Sequence, residues 1–356
     1  MKSREVGQRL TAGTGSTASL NTTTPPQPEK PLMYPTTKRF NVTDEDLLFL
    51  QRYGVKTKTA QPTFIPGKGW DLDEILRMKD KALDYDINID SLELPFERDV
   101  FLKEGCPVPQ FMLNTSDEAE RELDLVCDMI RTASKASIRV LIFCIKQIEN
   151  QSTESTIGRG GARYRTWDIT KADDTPRYET TVTADETWER VSHFLERVIP
   201  VATEYGVQMA NHPGDCWLPP GFKGIERIMS DFEDTKRYIE MYPSPYNGLQ
   251  FCLGTMAESC VDPATEIYEI VKYFAEQQKI FCMDFRNIVG GRNKFMEVFP
   301  DEGVIDLHRV MKILYDAGYA YGIDPDHFPC KRDEDPGCRQ SAAYHFGYIN
   351  ALIQSL

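Results

Sequence analysis

From about residue 32 onwards, short apolar runs alternate with amphipathic stretches. Apolar runs of roughly four to eight residues are typical of buried strands, and apolar residues recurring every three or four positions are typical of helices. Strands that alternate with helices indicate a parallel sheet, and eight of them favour a closed (β/α)8 barrel of the TIM type. The predicted strands are Tyr34–Phe40, Val55–Thr59, Ile87–Leu94, Arg139–Ile145, Val207–Asn211, Leu249–Leu253, Ile280–Phe285 and Tyr319–Ile323.

Capping signals mark where several helices begin. Four short polar side chains can each accept a hydrogen bond from an unpaired helix N–H, and each is followed three residues later by an acid. These capping residues are Thr43, Asp71, Thr183 and Ser230. After Thr183, apolar side chains recur from Trp188 to Val201, which predicts one buried helical face. Pro200 should bend this helix or end its regular part, and Gly206 should terminate it.

Two long segments interrupt the alternation, at about Pro95–Ser116 and about Gln147–Asp185. Both follow predicted strands, so both should lie on the C-terminal face, where the active sites of such barrels are built. Long connections of this kind commonly cover a site. We therefore expect a barrel with long loop insertions on its C-terminal face.

The first 31 residues are rich in Ser, Thr, Gly and Pro and contain no sustained apolar run. Because such a segment can bury little apolar surface, residues 1–31 are predicted to be a flexible tail and residues 32–356 a single catalytic domain. The tail lacks the hydrophobic core of a secretory signal. A transit peptide is the alternative, but such peptides are poor in acidic residues, and Glu5 and Glu29 argue against one. No apolar run in the chain approaches the roughly 20 residues that span a bilayer.

Charge and cysteine content exclude several classes of protein. The formal net charge is −14, so a basic nucleic-acid-binding face is not expected. The nine cysteines are irregularly spaced and contain no CxxC pair, which argues against a disulfide framework or a zinc ribbon. Reduced thiols fit better, and we expect a cytoplasmic protein without nucleic-acid or membrane partners.

Potential metal ligands occur where four successive strands of the second half end. They are His212, Cys252, Asp284 and Asp326, and His327 follows the last of them. Because parallel strands end at the same face of a barrel, these groups could hold a divalent ion with positions left open for substrate. Each residue alone has a plainer explanation as a structural histidine, a buried thiol, an ion pair or a helix cap. The prediction of a metal site rests on their coincidence.

The second half of the chain resembles the C-terminal half of mannonate dehydratase. HPGD, CLGT, DFRN and PDHF resemble the family motifs HPDD, CxGS, HxRS and PDHG in the same order and spacing, and FMEVFPDEGVIDLHRVMK resembles the family's FHE…GxVDMxxVxK stretch. The resemblance covers most of residues 33–356, but its specific motifs come only after about residue 190.

This resemblance implies that His212, Cys252, Asp284 and Asp326 bind a divalent ion of the manganese type, with magnesium, iron and cobalt as alternatives. Asp284 departs from the family pattern, because a carboxylate stands where the family has an imidazole. It can still bind a metal, and it makes the site harder and more anionic. A family Tyr expected after PDHG has no clear counterpart, and Tyr344 is a replacement a few residues later.

The resemblance also implies elimination of water from a sugar acid such as D-mannonate, giving a 2-keto-3-deoxy acid. The reaction needs a base, an acid for the departing hydroxyl and stabilisation of the charge beside the carboxylate. The catalytic candidates are His327, for one proton transfer, and Arg286. Arg286 and Asn287 could also bind the substrate carboxylate, although Arg286 could equally form a structural ion pair.

The glycine-rich segment Gly158–Tyr164 lacks the spacing of a P-loop and the G-x-G-x-x-G of a dinucleotide site. We interpret it as a flexible loop over the site, from which Arg159 and Arg163 could reach an anionic substrate.

Two alternatives to a dehydratase stay open. A metal-dependent sugar isomerase or epimerase on a related barrel would need the same metal and an acidic C–H, but no departing hydroxyl. A barrel that has lost catalysis and serves as a binding protein would hold no metal. In each case we expect a homo-oligomer, with a small-molecule sugar acid as the partner of either enzyme.

Overall fold

Eight parallel strands form the centre of the structure, a computed structural model that describes residues 30–99, 101–103, 108–178, 181–333, 335 and 337–356. Numbered in chain order together with five strands of smaller sheets, the strands of the described residues are β1 Tyr34–Pro35, β2 Thr57–Ala60, β3 Asn88–Glu93, β4 Val140–Cys144, β5 Thr156–Ile157, β6 Arg163–Tyr164, β7 Thr166–Asp168, β8 Gln208–His212, β9 Asn247–Cys252, β10 Ile280–Asp284, β11 Asn287–Gly291, β12 Lys294–Val298 and β13 Gly322–Asp324. The eight-stranded sheet runs β2-β3-β4-β8-β9-β10-β13-β1. Thr59 N donates to Thr37 O at 2.9 Å, which links the first and second strands and brings the sheet close to a closed ring.

Helices connect these strands. They are α1 Asp44–Arg52, α2 Leu72–Leu83, α3 Asp117–Lys135, α4 Ala184–Tyr205, α5 Phe232–Met241, α6 Leu253–Ser259, α7 Pro263–Glu276, α8 Leu307–Asp316 and α9 Arg339–Gln354. Every pairing in the large sheet is parallel. The predicted (β/α)8 barrel is confirmed, and each predicted strand overlaps an observed one.

The predicted helix starts are correct at three of the four positions. The side chains of Thr43, Asp71 and Thr183 each accept a hydrogen bond from the first turn of the helix that follows. The fourth prediction is wrong by one residue, because Asp231 and not Ser230 caps α5. Helix α4 continues through Pro200 and ends at Gly206, whose positive φ of 67° suits a residue without a side chain.

The second insertion forms small sheets beside the barrel. Strands β5 and β6 form a hairpin, and β7 pairs with β12 of the hairpin β11–β12 that follows β10. The first insertion contributes a 3-10 turn at Gln110–Met112, whose Phe111 stacks on Phe194 of α4 at 5.3 Å between ring centroids. Both insertions leave from strand C-termini, as predicted.

Three sequence predictions concern the tail, the membrane and the thiols. The predicted tail, residues 1–31, lies outside the described residues except for its last two. Among the residues that are described, no helix has the length and apolar character needed to cross a bilayer. The expectation of reduced thiols needs a correction, because Cys330 and Cys338 are joined in a disulfide; the other six cysteines among the described residues are free.

We expect Phe194→Ala to lower the free energy of unfolding by about 3–5 kcal/mol. Phe194 is fully buried, and its ring contacts those of Phe96, Phe111 and Phe143. Urea unfolding of the two proteins measures the loss. Leu48→Ala is the control, because Leu48 is 45% exposed on α1 and its truncation should cost no more than about 0.5 kcal/mol. Equal losses in the two variants would contradict the assignment of this aromatic cluster to the core.

We expect Glu122→Gln to stabilise the protein at pH 8 by about 1–3 kcal/mol and to have little effect at pH 4. Burial on α3 raises the pKa of Glu122 from 4.5 to about 7, although its carboxylate accepts a hydrogen bond from Phe111 N. Its contribution to stability is therefore present below pH 4.5 and is lost as the pH rises through 7. The amide keeps an acceptor oxygen and stays neutral.

Urea unfolding at the two pH values tests this expectation. Glu118→Gln is the control, since Glu118 is an exposed residue of the same helix that pairs with Lys103. A gain at pH 8 no larger for Glu122→Gln than for this control would refute the expectation.

Candidate active site

The four strand-end residues predicted as ligands lie together at the C-terminal end of the barrel. His212, Cys252 and Asp284 are the last residues of β8, β9 and β10, and Asp326 follows β13 by two residues. His212 Nε2 lies 3.4 Å from Asp284 Oδ2. One ligand atom each from Cys252, Asp284 and Asp326 lie within 4.8 Å of one another, and Asp215 forms a similar group with His212 and Cys252. Nitrogen, sulfur and oxygen donors at these separations fit a divalent ion.

Local hydrogen bonds orient these side chains. Cys252 caps helix α6, with its Sγ accepting from Thr255 N at 3.3 Å. Both carboxylate oxygens of Asp284 accept from Gln250 Nε2, at 2.8 and 2.9 Å. Asp326 has a positive φ of 60°, and its N–H donates to Asp324 at 2.9 Å. The Asp324 side chain thus fixes the backbone at Asp326, in the manner of an Asx turn.

Arg286 lies at the centre of the site and is nearly inaccessible to solvent. Its guanidinium contacts four carboxylates: Asp215 at 2.7 Å, Asp326 at 2.7 Å, Glu258 at 3.3 Å and Glu297 at 3.5 Å. It also donates to Thr255 Oγ1 at 2.9 Å and lies 2.9 Å from His327 Nδ1. A guanidinium with this many partners is a structural cation that holds the strand ends together.

The glycine of the second motif, CLGT, is Gly254, and it leaves space for the side chain of Arg286. A Cβ atom at this position would lie 2.1 Å from Arg286 Nε and 2.3 Å from its Cγ. Arg286 therefore passes over helix α6 only because residue 254 has no side chain. The motif thus contributes a possible metal ligand at Cys252 and the space for the neighbouring arginine.

Glu297 on β12 connects His327 with two arginines. Its Oε2 lies 2.8 Å from His327 Nδ1, and its Oε1 accepts from Arg165 Nη1 at 2.6 Å. Burial opposes ionisation of Glu297, but His327 and Arg286 outweigh it and lower its pKa to about 2. Burial likewise lowers the pKa of His327, whereas Asp326 and Glu297 raise it, with a net increase. Glu297 is therefore placed to fix the ring of His327.

Glu258 on α6 is a buried acid with an incomplete set of partners. Its Oε1 faces Arg286, and Arg165 Nη1 lies 3.6 Å away, while Oε2 has no hydrogen-bond partner among the residues that the structure describes. Burial raises the pKa of Glu258 to about 7, against the opposing effect of Arg286. It is the least compensated acid around Arg286.

A cavity of about 280 Å³ opens beside these groups. Its wall includes Lys38, Arg39, Gln61, Glu93, Glu97, Cys144, Asn150, His212, Asp215, Gln250, Asp326 and His327. This volume is close to the lower end for small-molecule sites, and the wall combines these polar and charged groups with the apolar side chains of Leu94, Ile142 and Phe143. The cavity suits a small hydroxylated or charged molecule.

None of the four predicted substrate-binding residues, Arg286, Asn287, Arg159 and Arg163, lines this cavity. Asn287 donates to Pro300 O and Ile305 O, and Arg159 pairs with Asp301 at 2.6 Å, beside Tyr344. Arg286 has the partners described above. Arg163 lines a separate cavity of about 800 Å³, which is also bounded by His327 and Arg39.

Several charged residues of the site were missed in the sequence. Lys38 lies three residues after β1, at the kind of strand-end position that indicated the metal ligands in the second half. Asp215 is the last residue of the HPGD motif. Arg165 comes from the second insertion and Glu258 from a short helix, so neither carries a local signal of its role.

Comparisons with known proteins identify the family of this chain. The family model of D-mannonate dehydratase (UxuA) matches residues 126–356, well over half of the chain. The chain belongs to the mannonate dehydratase family. All four motifs and both groups of potential ligands lie within the matched region of this family.

Individual relatives match over part of their length. Mannonate dehydratase of Streptococcus suis is 31% identical over 152 residues, 42% of this chain and 40% of that protein. The Thermotoga petrophila enzyme is 36% identical over 166 residues, 45% of this chain and 44% of that protein. The matched segments thus span less than half of these relatives. The crystal structure of the Streptococcus suis serotype 2 enzyme superposes with a TM-score of 0.76 at 22% identity, covering 91% of this chain and 93% of that one, which shows a shared fold.

We expect Arg286→Met to lower the free energy of unfolding by about 3–5 kcal/mol, because it leaves buried carboxylates without their cation. Urea unfolding of metal-free protein measures the loss. Arg292→Met is the control: its Nε donates only to Ser259 O and its guanidinium lies over Trp217, so about 1 kcal/mol is expected. If Arg286→Met is no less stable than this control, Arg286 does not hold the site together.

Proposed function

We propose that this protein is a metal-dependent dehydratase that removes water from a sugar acid such as D-mannonate and releases a 2-keto-3-deoxy acid. The observation that carries the proposal is the grouping of His212, Cys252, Asp284 and Asp326 beside His327 at a small polar cavity. Family membership supports the same reaction. A hydro-lyase of this kind would act on a small metabolite in the cytoplasm.

The ion we propose is Mn²⁺, held by those four residues. Two carboxylates favour a hard ion, while the imidazole and thiolate make calcium unsuitable. A divalent ion bound here would stabilise the negative charge that develops next to the substrate carboxylate. Elemental analysis of the purified protein distinguishes manganese from magnesium, iron and cobalt.

His327 is the residue we assign to proton transfer. Its Nδ1 is held by Glu297, whereas within the described residues its Nε2 makes no hydrogen bond, since Asp326 Oδ2 is 3.8 Å away. Its ring lines the cavity. A ring fixed through one nitrogen leaves the other free to exchange a proton with a bound substrate.

Arg39 is better placed than Arg286 to bind the substrate carboxylate. It lines the cavity, its Nε donates to Asp326 O at 2.6 Å, and within the described residues it forms no ion pair. Its remaining N–H groups can therefore make a bidentate contact with a carboxylate. Both terminal nitrogens of Arg286 already bond to protein groups, so we assign it to positioning the strand ends.

Purified protein supplied with Mn²⁺ is expected to convert one or more hexonic or pentonic acids into 2-keto-3-deoxy acids. The periodate–thiobarbiturate reaction detects that product class. His327→Asn should lower kcat by about 100-fold or more, because general acid–base catalysis typically contributes that much.

The control for this variant is His193→Asn. His193 is a partly exposed histidine of α4 that pairs with Glu120 at 2.6 Å and lies outside the cavity wall, so activity should be retained. A product with changed configuration or carbonyl position would support the isomerase or epimerase instead. No turnover and no bound metal would support the binding protein. Full activity in His327→Asn would remove this residue from the mechanism.

A further inference from the structure

Lys38 is fixed at the C-terminal end of the barrel by its backbone. Its N–H donates to Asp324 Oδ2 at 2.8 Å, and the preceding residue, Thr37, accepts the hydrogen bond from Thr59 that links β1 to β2. The side chain therefore starts from a rigid position next to the ends of β10 and β13. Closure of the barrel through Thr37 and Thr59 therefore determines where the Lys38 side chain begins and which way it points.

The ammonium group of Lys38 lies between two of the proposed metal ligands. Its Nζ is 2.8 Å from Asp284 Oδ2 and 3.0 Å from Asp326 Oδ1. Both carboxylates are almost completely buried, whereas the Lys38 side chain is 23% exposed. A cation of the protein itself thus contacts the same oxygens that would bind a divalent ion.

The other sides of these carboxylates are also engaged. Gln250 donates to both oxygens of Asp284, and Arg286 donates to Asp326 Oδ2 at 2.7 Å. By contrast, within the described residues no hydrogen bond joins the Lys38 ammonium to His212 or Cys252. Lys38 therefore satisfies the anionic half of the site and leaves the imidazole and thiol half to other partners.

We propose that Lys38 is a displaceable internal cation: it neutralises Asp284 and Asp326 when no metal is bound, and a divalent ion binds by replacing it. Lys38 would then weaken metal binding and allow the metal-free protein to stay folded. The proposal rests on the metal site put forward under the proposed function. It assigns Lys38 to positioning and charge compensation at that site.

Two cavities beside Lys38 could accept its ammonium group once a metal ion has displaced it. Lys38 lines both the 280 Å³ cavity and an adjoining cavity of about 650 Å³, which it shares with Arg39, Gln61 and Lys58. A partly exposed lysine has several rotatable bonds and a strongly hydrated head group. Movement into either cavity needs no change of the backbone.

The test is a titration of chelator-treated protein with Mn²⁺, in which free Mn²⁺ is followed by its paramagnetic resonance signal. Lys38→Met is expected to bind Mn²⁺ about 10- to 100-fold more tightly than the natural protein, because the competing charged hydrogen bonds are lost. Lys38→Arg keeps the charge and should bind no more tightly than the natural protein. A lysine that only orders the ligands would give the opposite result, with weaker binding in Lys38→Met.

Lys58→Met is the matched control. Lys58 is a buried lysine of β2 that lines the adjoining cavity, donates to Thr59 O at 2.9 Å and forms no ion pair within the described residues. Its replacement also removes a positive charge near the site, but it removes no contact with a proposed ligand. Its Mn²⁺ affinity should stay within about threefold of the natural protein.

Thermal unfolding of the same samples gives a second measurement. Metal-free Lys38→Met should melt below the natural protein, because two buried carboxylates lose their cation, and saturating Mn²⁺ should raise its melting temperature by more than that of the natural protein. If Lys38→Met is too unstable to titrate, Lys38→Gln replaces it with the same expected order. Affinity in Lys38→Met or Lys38→Gln that equals or falls below that of the natural protein would overturn the proposal. Neither measurement depends on turnover, so a failed dehydratase assay leaves this test intact.

Discussion

Charge balance inside a buried site is the constraint on which the rest of this structure depends. Six carboxylates at the C-terminal end of the barrel are no more than 4% exposed: Asp215, Asp284, Asp324, Asp326, Glu258 and Glu297. Removing a carboxylate from water costs several kcal/mol unless a cation and hydrogen bonds replace the solvent. Arg286, Arg165 and Lys38 supply most of that compensation through direct contacts with these acids. The acids can be buried together only because these three cations contact them directly.

The barrel brings these charges together from distant parts of the chain. Lys38 follows the first strand, Arg165 comes from the second insertion, and Arg286 follows the seventh strand of the ring. Their partners follow β8 and β13, end β10, or lie on α6 and β12. Barrel closure and charge pairing are therefore coupled: an open barrel would leave acids without cations, and unpaired acids would repel one another and oppose closure. Gly254 belongs to the same constraint, because a side chain there would exclude Arg286.

The sequence predicts the parts of this site that follow from strand order. Parallel strands end at one face, so His212, Cys252 and Asp284 could be placed together from the strand pattern alone. The pairing partners could not be predicted in this way. Arg159 and Arg165 lie six residues apart in one insertion, but Arg159 pairs with exposed Asp301 while Arg165 enters the buried cluster. That difference depends on the antiparallel pairing of β7 with β12, a contact between residues more than 120 positions apart that no local spacing encodes.

The carboxylate at position 284 has a consequence for the whole site. A neutral imidazole there would leave Asp326 and the Cys252 thiol as the ionisable acidic groups among the proposed ligands, whereas Asp284 adds a further negative charge in a place with no access to solvent. Such a charge requires a partner within the protein, since a metal ion that dissociates would leave it uncompensated. Lys38 is that partner in this structure, 2.8 Å away and attached to the first strand of the barrel. With Lys38 in place, the site can keep its geometry when no metal ion is bound. On our proposal metal binding is weaker as a result, because the ion must displace Lys38 from Asp284 and Asp326.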